Sequence, residues 1–322
     1  MRIEVAVLDY QLDRVKDLLK RNDLVYEEDI DITFIAIDKE IIGTISLSDN
    51  VIKCMSVDEE YRGKGVSLLL LNQVIKYLET EKIYHYFAYS KNNNKDIFIS
   101  LGMRDIVSTD GVTLFEGGIN RIDTYLKDMK REYGLTKEYS SIVMNLNPLT
   151  NGHLYLIEKA SKENDNVIVF VVEEDKSDFP FEFRYELCKK VASRFDNVVV
   201  LPSTMYMISR ATFSTYFIKD HAEVNKLFAK IDFKIFTDYF AKIFNITSRY
   251  IGTEPICKIT KAYNEVMLDS DFDIKLVERI KHNDNYISAS IVRKLLKEDV
   301  SLVKDYVPIE TYEMLSAYSK RK

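Results

Sequence analysis

The sequence predicts an α/β protein of two domains: a mixed sheet first, then a doubly wound, Rossmann-like parallel sheet. Three observations carry this. The chain has 322 residues, enough for about two domains at roughly 150 residues each. Hairpin signals crowd the first half, whereas the second half alternates apolar strands with amphipathic helices, the pattern of a parallel sheet. Between the halves the composition changes. Gly117 and Gly118 end an apolar run, a charged helix-like stretch follows over 121–133, and Gly134 closes it. The boundary is placed within 134–140, giving domains 1–135 and 136–322.

In order along the first domain, residues 2–8 alternate as a strand does, and Leu12, Val15, Leu18 and Leu19 recur at helical spacing. Residues 33–37 and 41–47 flank Asp38-Lys39-Glu40, a hairpin-like connection, and 51–57 is a further strand. Tyr61-Arg62-Gly63-Lys64-Gly65-Val66-Ser67 then leads into a helix over 68–79. In the second domain, 141–144 is a short apolar strand, and 153–163 a helix with Leu156, Ile157 and Ala160 inward. The apolar run 167–172 suits a strand covered on both faces. Residues 183–195 place Phe183, Leu187, Val191 and Phe195 on one helical stripe, and 198–201 is the next strand. A ligand of such a sheet sits at the carboxyl ends of the strands.

Composition narrows the class. A chain 46% hydrophobic and 30% charged, with 10 Gly and 5 Pro, is neither disordered nor collagenous. Its 21 Tyr and 17 Phe supply two packed cores without Trp. The longest apolar runs, within 67–71 and 167–172, are too short to span a bilayer. Glu4, Asp9, Asp13 and Asp17 leave no place for a secretory signal. Cys54, Cys188 and Cys257 are odd in number and far apart, as expected of a reduced cytoplasmic chain with neither disulfides nor a zinc site. A net charge of −6 argues against nucleic acid as a partner. An anionic ligand must therefore be held by local charges and backbone N–H groups.

Met144-Asn145-Leu146-Asn147-Pro148-Leu149-Thr150-Asn151-Gly152-His153 is the strongest signal. It runs from a strand end into a helix, where unpaired N–H groups and the positive end of the dipole favour a phosphate. The plain alternative is a loop whose Thr150 only caps the helix. A second helix start follows near the chain end, Tyr286-Ile287-Ser288-Ala289-Ser290-Ile291-Val292-Arg293. Here a hydroxyl can cap while Arg293, about one turn inside, faces the same anion.

The first segment resembles the Thr/His-x-Gly-His motif of the nucleotidylyltransferase superfamily, with Thr150, Gly152 and His153 at the matching places. The second resembles that superfamily's Ile-Ser-x-Ser/Thr-x-x-Arg signature. The resemblance implies that Thr150, His153 and Arg293 are catalytic. It also implies ATP contacts at Asn145, Asn147, Gly152, Ser288 and Ser290, with Lys176 and Arg184 facing phosphates.

Two further segments, 208–213 with Tyr216, Phe217, Ile218 and Lys219, and Gly252-Thr253-Glu254-Pro255 with Lys258, Tyr263 and Asn264, are similar to the family of ligases that activate citrate lyase. Gly252, Thr253 and Glu254 would then also meet ATP. Generic nucleotidylyltransferases carry Asp before the Pro and Gly at the strand end, where this chain has Asn147 and Met144; the narrower family shares the Asn-x-Asn-Pro form. This resemblance covers nearly the whole chain. It implies an AMP-forming acetate:thiol-protein ligase using ATP and Mg²⁺, with acetate and the acyl carrier subunit of citrate lyase as partners. The reaction would pass through acetyl adenylate to the thiol of a phosphoribosyl-dephospho-coenzyme A group. Two other readings stay open: an adenylyltransferase of a coenzyme A-type pathway, and a non-catalytic acyl-CoA sensor.

The first domain has its own motif. Arg62-Gly63-Lys64-Gly65-Val66-Ser67 resembles the pyrophosphate loop of Gcn5-related N-acetyltransferases, with Ser67 where that family prefers Gly or Ala. The run from Asn93 to Arg104 is similar to that family's late helix and Leu-Gly-Phe turn. This implies that Arg62, Gly63, Lys64, Gly65 and Val66 hold a coenzyme A-like arm. Glu59, Glu60 and Tyr89 are the candidates for a general base, none of them compelling. His85, His221 and His282 lack metal-ligand spacing and read as structural or surface residues.

Overall fold

A computed structural model describes residues 1–109, 111–173, 177–207, 214–218, 224–255 and 257–319, the side chains of 258 and 259 excepted. Lys176, segment 208–213, Lys219 and His221 lie outside the described residues, as does the side chain of Lys258. The described chain forms two compact units that are not consecutive stretches. One comprises 1–125 with 212–231; the other comprises 126–211 with 232–322.

The first unit contains β1 (Arg2–Val5), α1 (Asp9–Arg21), β2 (Ile32–Asp38), β3 (Glu40–Ser48), β4 (Val51–Val57), α2 (Val66–Thr80), β5 (His85–Lys91), α3 (Lys95–Ser100), β6 (Arg104–Ser108) and β7 (Val112–Gly118). Its seven-stranded sheet has the order β1-β2-β3-β4-β5-β7-β6. The sheet is mixed because β4 and β5 run parallel, pairing only at Val51–Phe87 and Ile52–Ala88, while the other neighbours are antiparallel. The expected hairpin at Asp38-Lys39-Glu40 is present, with Lys39 at φ 65° making the turn. Leu70, Leu71, Val74 and Leu78 of α2 pack on Phe34, Ile45, Ile52 and Phe115 of the sheet. Lys53 is buried in β4 and carries its charge between Glu27 (3.1 Å) and Asp29 (2.7 Å).

After α4 (Ile122–Glu132), the second unit is built on β8 (Tyr139–Met144), α5 (Asn151–Glu163), β9 (Val167–Val171), α6 (Phe181–Ala192) and β10 (Val198–Pro202). The chain returns through α7 (Val224–Ile235), a π-helical turn, α8 (Lys242–Phe244), β11 (Ile246–Gly252), α9 (Lys258–Leu268) and β12 (Asp273–Val277). It ends with the short β13 (Lys281–His282) and β14 (Asn285–Tyr286), α10 (Ala289–Leu296) and α11 (Ile309–Ser319). The five-stranded sheet is parallel throughout, in the order β10-β9-β8-β11-β12. Every residue of β9 is fully buried, as an apolar run covered on both faces requires. Strand order reverses between β8 and β11, so the crevice outside their carboxyl ends is where a doubly wound sheet binds ligand. A small cluster of Phe179, Val292, Val303, Val307 and Leu315 anchors α10.

Gly118 is one glycine the fold demands. Its φ is +96°, and a Cβ there would stand 2.0 Å from the Tyr84 carbonyl oxygen. Gly118→Ala is therefore expected to destabilise the protein by roughly 3 kcal/mol or more, read as a drop in denaturation midpoint, whereas Gly134→Ala, which meets no neighbour within 4 Å, costs only its backbone strain.

Candidate active site

The loop after β8 is held from below by a buried cation. Arg184 of α6 is fully buried, and its Nε donates to Phe179 O (3.0 Å). Its Nη1 donates to Asn145 O (2.6 Å), Asn145 Oδ1 (2.8 Å) and Val172 O (2.8 Å). These bonds tie the ends of β8 and β9 to the start of α6. Arg184, expected at the phosphates from its place in the sequence, is thus a clamp under the loop. Asn145 is engaged the same way, its Oδ1 also accepting from Ser177. Asn147 accepts from Phe179 N through Oδ1 and donates to Asp178 through Nδ2, both at 3.2 Å. Leu146, at φ 57°, buries its side chain and turns the chain toward α5.

Thr150 caps α5, and His153 stands at the third helical position in a reciprocal capping box. The Thr150 backbone N–H donates to His153 Nδ1 (3.0 Å), and the Thr150 hydroxyl lies 2.9 Å from the same nitrogen. Nδ1 is therefore the unprotonated nitrogen, and Nε2 carries the proton. Burial, and then the charge of Arg279, pull this imidazole down to about 4. A neutral ring in this setting offers one N–H at the positive end of a helix, a donor for an anion rather than a base. A Cβ on Gly152 would meet Thr150 Oγ1 at 3.6 Å and Ile287 O at 3.7 Å, ordinary contacts, so the protein's own packing does not require glycine there.

Helix α10 brings the second motif to the same loop. Ser288 caps it, its Oγ accepting from Ile291 N (3.3 Å). Arg293 donates from Nη1 to Asn147 O (2.5 Å) and from Nη2 to Ser290 Oγ (3.4 Å), and its Nε pairs with Asp178 (2.9 Å). The structure thus brings Thr150, Gly152, His153, Ser288, Ser290 and Arg293 to one crevice. On the far side of the switch point, Thr253 N donates to Val277 O (2.8 Å), and Asn264 donates to Gly252 O (2.8 Å). Thr253 Oγ1 accepts from Arg279 N (3.1 Å), while buried Glu254 pairs with the Arg279 guanidinium (2.6 Å). Arg279 and Asp178 were not singled out at this site in the sequence, whereas Asn264 was named with the Gly252 segment. Asp178 and Arg279 have no local signal, because their partners lie 31 and 25 residues away.

In the first unit, Gly63 (φ +74°) and Gly65 (φ +78°) open α2, and a Cβ on either would meet nothing within 4 Å. Lys64 and Arg62 are exposed, Val66 is buried, and no acidic residue lies in the first turn of α2. Arg62 bonds to Asn22 and to Val57 O (3.4 Å). Of the residues considered as bases, Tyr89 is buried, and its carbonyl accepts from the hydroxyl of Tyr216 (3.0 Å). Burial raises the thiols of Cys54 and Cys188 to about 12, unsuited to a nucleophile.

Among the described histidines, His85 and His153 are held at about 4, both by burial first and then by an arginine. With folded values below the ordinary 6.5, the unfolded chain takes up protons first as the pH falls. The stability these groups contribute is therefore present above about pH 6.5 and is lost as the pH falls toward 4. An NMR titration of the imidazole protons is expected to show His85 and His153 titrating near pH 4, the latter signal disappearing in His153→Gln. A His153 signal titrating near 6.5 would contradict the geometry.

Residues 139–315 match the family model of the citrate lyase ligase C-terminal domain. Residues 9–116 match an acetyltransferase (GNAT) domain. The chain is 34% identical over 314 residues to a citrate (pro-3S)-lyase ligase of Escherichia coli, covering 94% of this chain and 89% of that one. It is 32% identical over 318 residues to the corresponding ligase of Haemophilus influenzae, covering 95% of each. A shorter stretch of 59 residues, 18% of this chain, is 48% identical to 37% of a phosphopantetheine adenylyltransferase of Clostridium botulinum. Among the described residues, no helix is long and apolar enough to cross a membrane. The chain belongs to the citrate lyase ligase family, with an acetyltransferase-type domain ahead of its ligase domain.

Proposed function

We propose that the second unit condenses acetate with ATP to acetyl adenylate, and that the acetyl group then passes to the prosthetic-group thiol of the citrate lyase acyl carrier subunit. In the first step a carboxylate oxygen of acetate attacks the α-phosphorus, and the bond from that phosphorus to the β-bridging oxygen breaks, releasing pyrophosphate. In the second the thiol sulfur attacks the acetyl carbon, AMP leaves with the bridging oxygen, and the thiol proton goes to solvent. The observation that carries this reading is the meeting of two helix starts. His153 at the start of α5 and Ser288, Ser290 and Arg293 at the start of α10 stand beside one loop. Adenylyl transfer needs positioning and charge stabilisation, which fixed donors of this kind provide. Thr150, Gly152 and His153 would face the α-phosphate, and Ser288, Ser290 and Arg293 the departing pyrophosphate. Mg²⁺ would enter with ATP and supply charge neutralisation to the phosphates.

The first unit is assigned a docking role: Arg62, Gly63, Lys64, Gly65 and Val66 hold the pyrophosphate of the carrier's arm. Two positive-φ glycines followed by a helix free of acid in its first turn support this. Holding the arm would raise the thiol's effective concentration near the adenylate.

The test is acetate-dependent pyrophosphate release, with phosphopantetheine as the competing acceptor. Turnover with phosphopantetheine and none with acetate would overturn the reading. His153→Ala is expected to lower the rate by about 10²–10³, the loss typical of one transition-state donor, in a protein that stays folded, its thermal midpoint lowered only by the loss of the capping bond from Thr150 N–H. Gly65→Glu should still exchange pyrophosphate into ATP in the presence of acetate yet acetylate the carrier poorly. Unchanged transfer to the carrier would remove the loop from the account.

A further inference from the structure

Acetate is a small anion that must approach the α-phosphorus of a polyanion, so it needs a directional cation of its own. Among the described residues, the cations on the β8 side do not supply one. Arg184 is fully buried under the loop, and Arg293 is joined to Asn147 O, Ser290 and Asp178. Across the switch point the arrangement differs. Arg279 follows β12, and its backbone is lashed to the end of β11 through Thr253, whose N–H bonds Val277 O and whose hydroxyl accepts from Arg279 N. Its Cγ lies 3.9 Å from where a Cβ on Gly252 would stand, so the side chain runs over that strand end.

A guanidinium has five donors in a planar fork. Only Nη2 of Arg279 is engaged, by Glu254, whose carboxylate is buried and itself accepts from Cys257 N (3.1 Å). Among the described residues, Nε and Nη1 of Arg279 donate to nothing, and the side chain is partly exposed; Glu254 takes one of the two Nη2 hydrogens, so the other completes a two-donor edge with Nε or with Nη1. The pair with Glu254 cancels the net charge while fixing the plane of the fork. A fork held in this way matches one planar carboxylate. The next residue, Ile280, accepts from Ile287 N (3.2 Å), and Ile287 O stands 3.7 Å from where a Cβ on Gly152 would lie, which brings this segment to the side of the crevice where α5 begins.

We propose that Arg279, held in plane by Glu254, receives the carboxylate of the substrate acetate. The assignment rests on the acetate-activating reading above. A bidentate, charge-assisted pair of this kind is worth about tenfold or more in affinity. Arg279→Gln and Arg279→Lys are therefore expected to raise the KM for acetate by about tenfold or more while leaving the KM for ATP within about twofold. The lysine variant is expected not to restore the wild-type value, because it keeps the charge and loses the fork. Added guanidinium ion should partly rescue Arg279→Ala at subsaturating acetate. A raised KM for ATP with an unchanged KM for acetate would move Arg279 to the nucleotide side and overturn the proposal. A fall in kcat alone would show that Arg279 acts after acetate is bound, and would overturn it equally. Absence of acetate-dependent pyrophosphate release in the unaltered protein would instead defeat the underlying reading, and this assignment with it.

Discussion

The candidate site depends on one buried cation. Removing a guanidinium from water is costly unless its donors are met, and Arg184 meets its own largely with backbone carbonyls from three segments: Asn145, Val172 and Phe179. The arrangement fixes where β8 ends, where its loop turns and where α6 begins. From that fixed point the loop reaches Thr150, whose backbone N–H in turn decides the tautomer of His153. Arg293 closes the loop from the other side through Asn147 O. The site donors therefore stand on two helix starts tied to one piece of backbone, which is the preorganisation that electrostatic catalysis requires.

Charge is arranged locally rather than globally. The chain is acidic, with a net charge of −6, yet anion-binding geometry recurs at the starts of α2, α5 and α10. A helix start leaves N–H groups without intrahelical partners, although at α5 the first of them, Asn151 N, is taken by Tyr306 O (2.9 Å). Two of the three are capped by a hydroxyl residue, and α2 opens instead from a positive-φ glycine. At α5 the neutral state of His153 follows from its surroundings: protonating Nδ1 would set two donors against each other and add charge beside Arg279.

Much of this was legible in the sequence, and what was not has a physical reason. The run at 167–172, the Thr150-x-Gly-His153 step and the Ser288-to-Arg293 spacing are local patterns, and local patterns survive as sequence signals. Arg184 was visible, but a lone arginine reads the same whether it faces phosphate or lies under a loop. Only the packing of α6 against β9 and β10 separates the two. Arg279 was invisible because its neighbours are assembled by the pairing of β11 with β12, and β12 is a largely exposed strand, DIKLV, with little apolar periodicity. The transfer of 212–231 to the first unit likewise depends on distant contacts, such as Thr215 on Glu27 and Tyr216 on Val25.

In the proposed reaction an acetate oxygen attacks phosphorus, so that the acetyl group passes through a mixed anhydride with AMP. Acetate labelled with heavy oxygen in its carboxylate tests this directly. After one turnover with ATP, Mg²⁺ and deacetylated carrier subunit, mass spectrometry should find one labelled oxygen in AMP and an acetyl group on the carrier. Acetylated carrier accompanied by unlabelled AMP, or by ADP in place of AMP, would contradict the account.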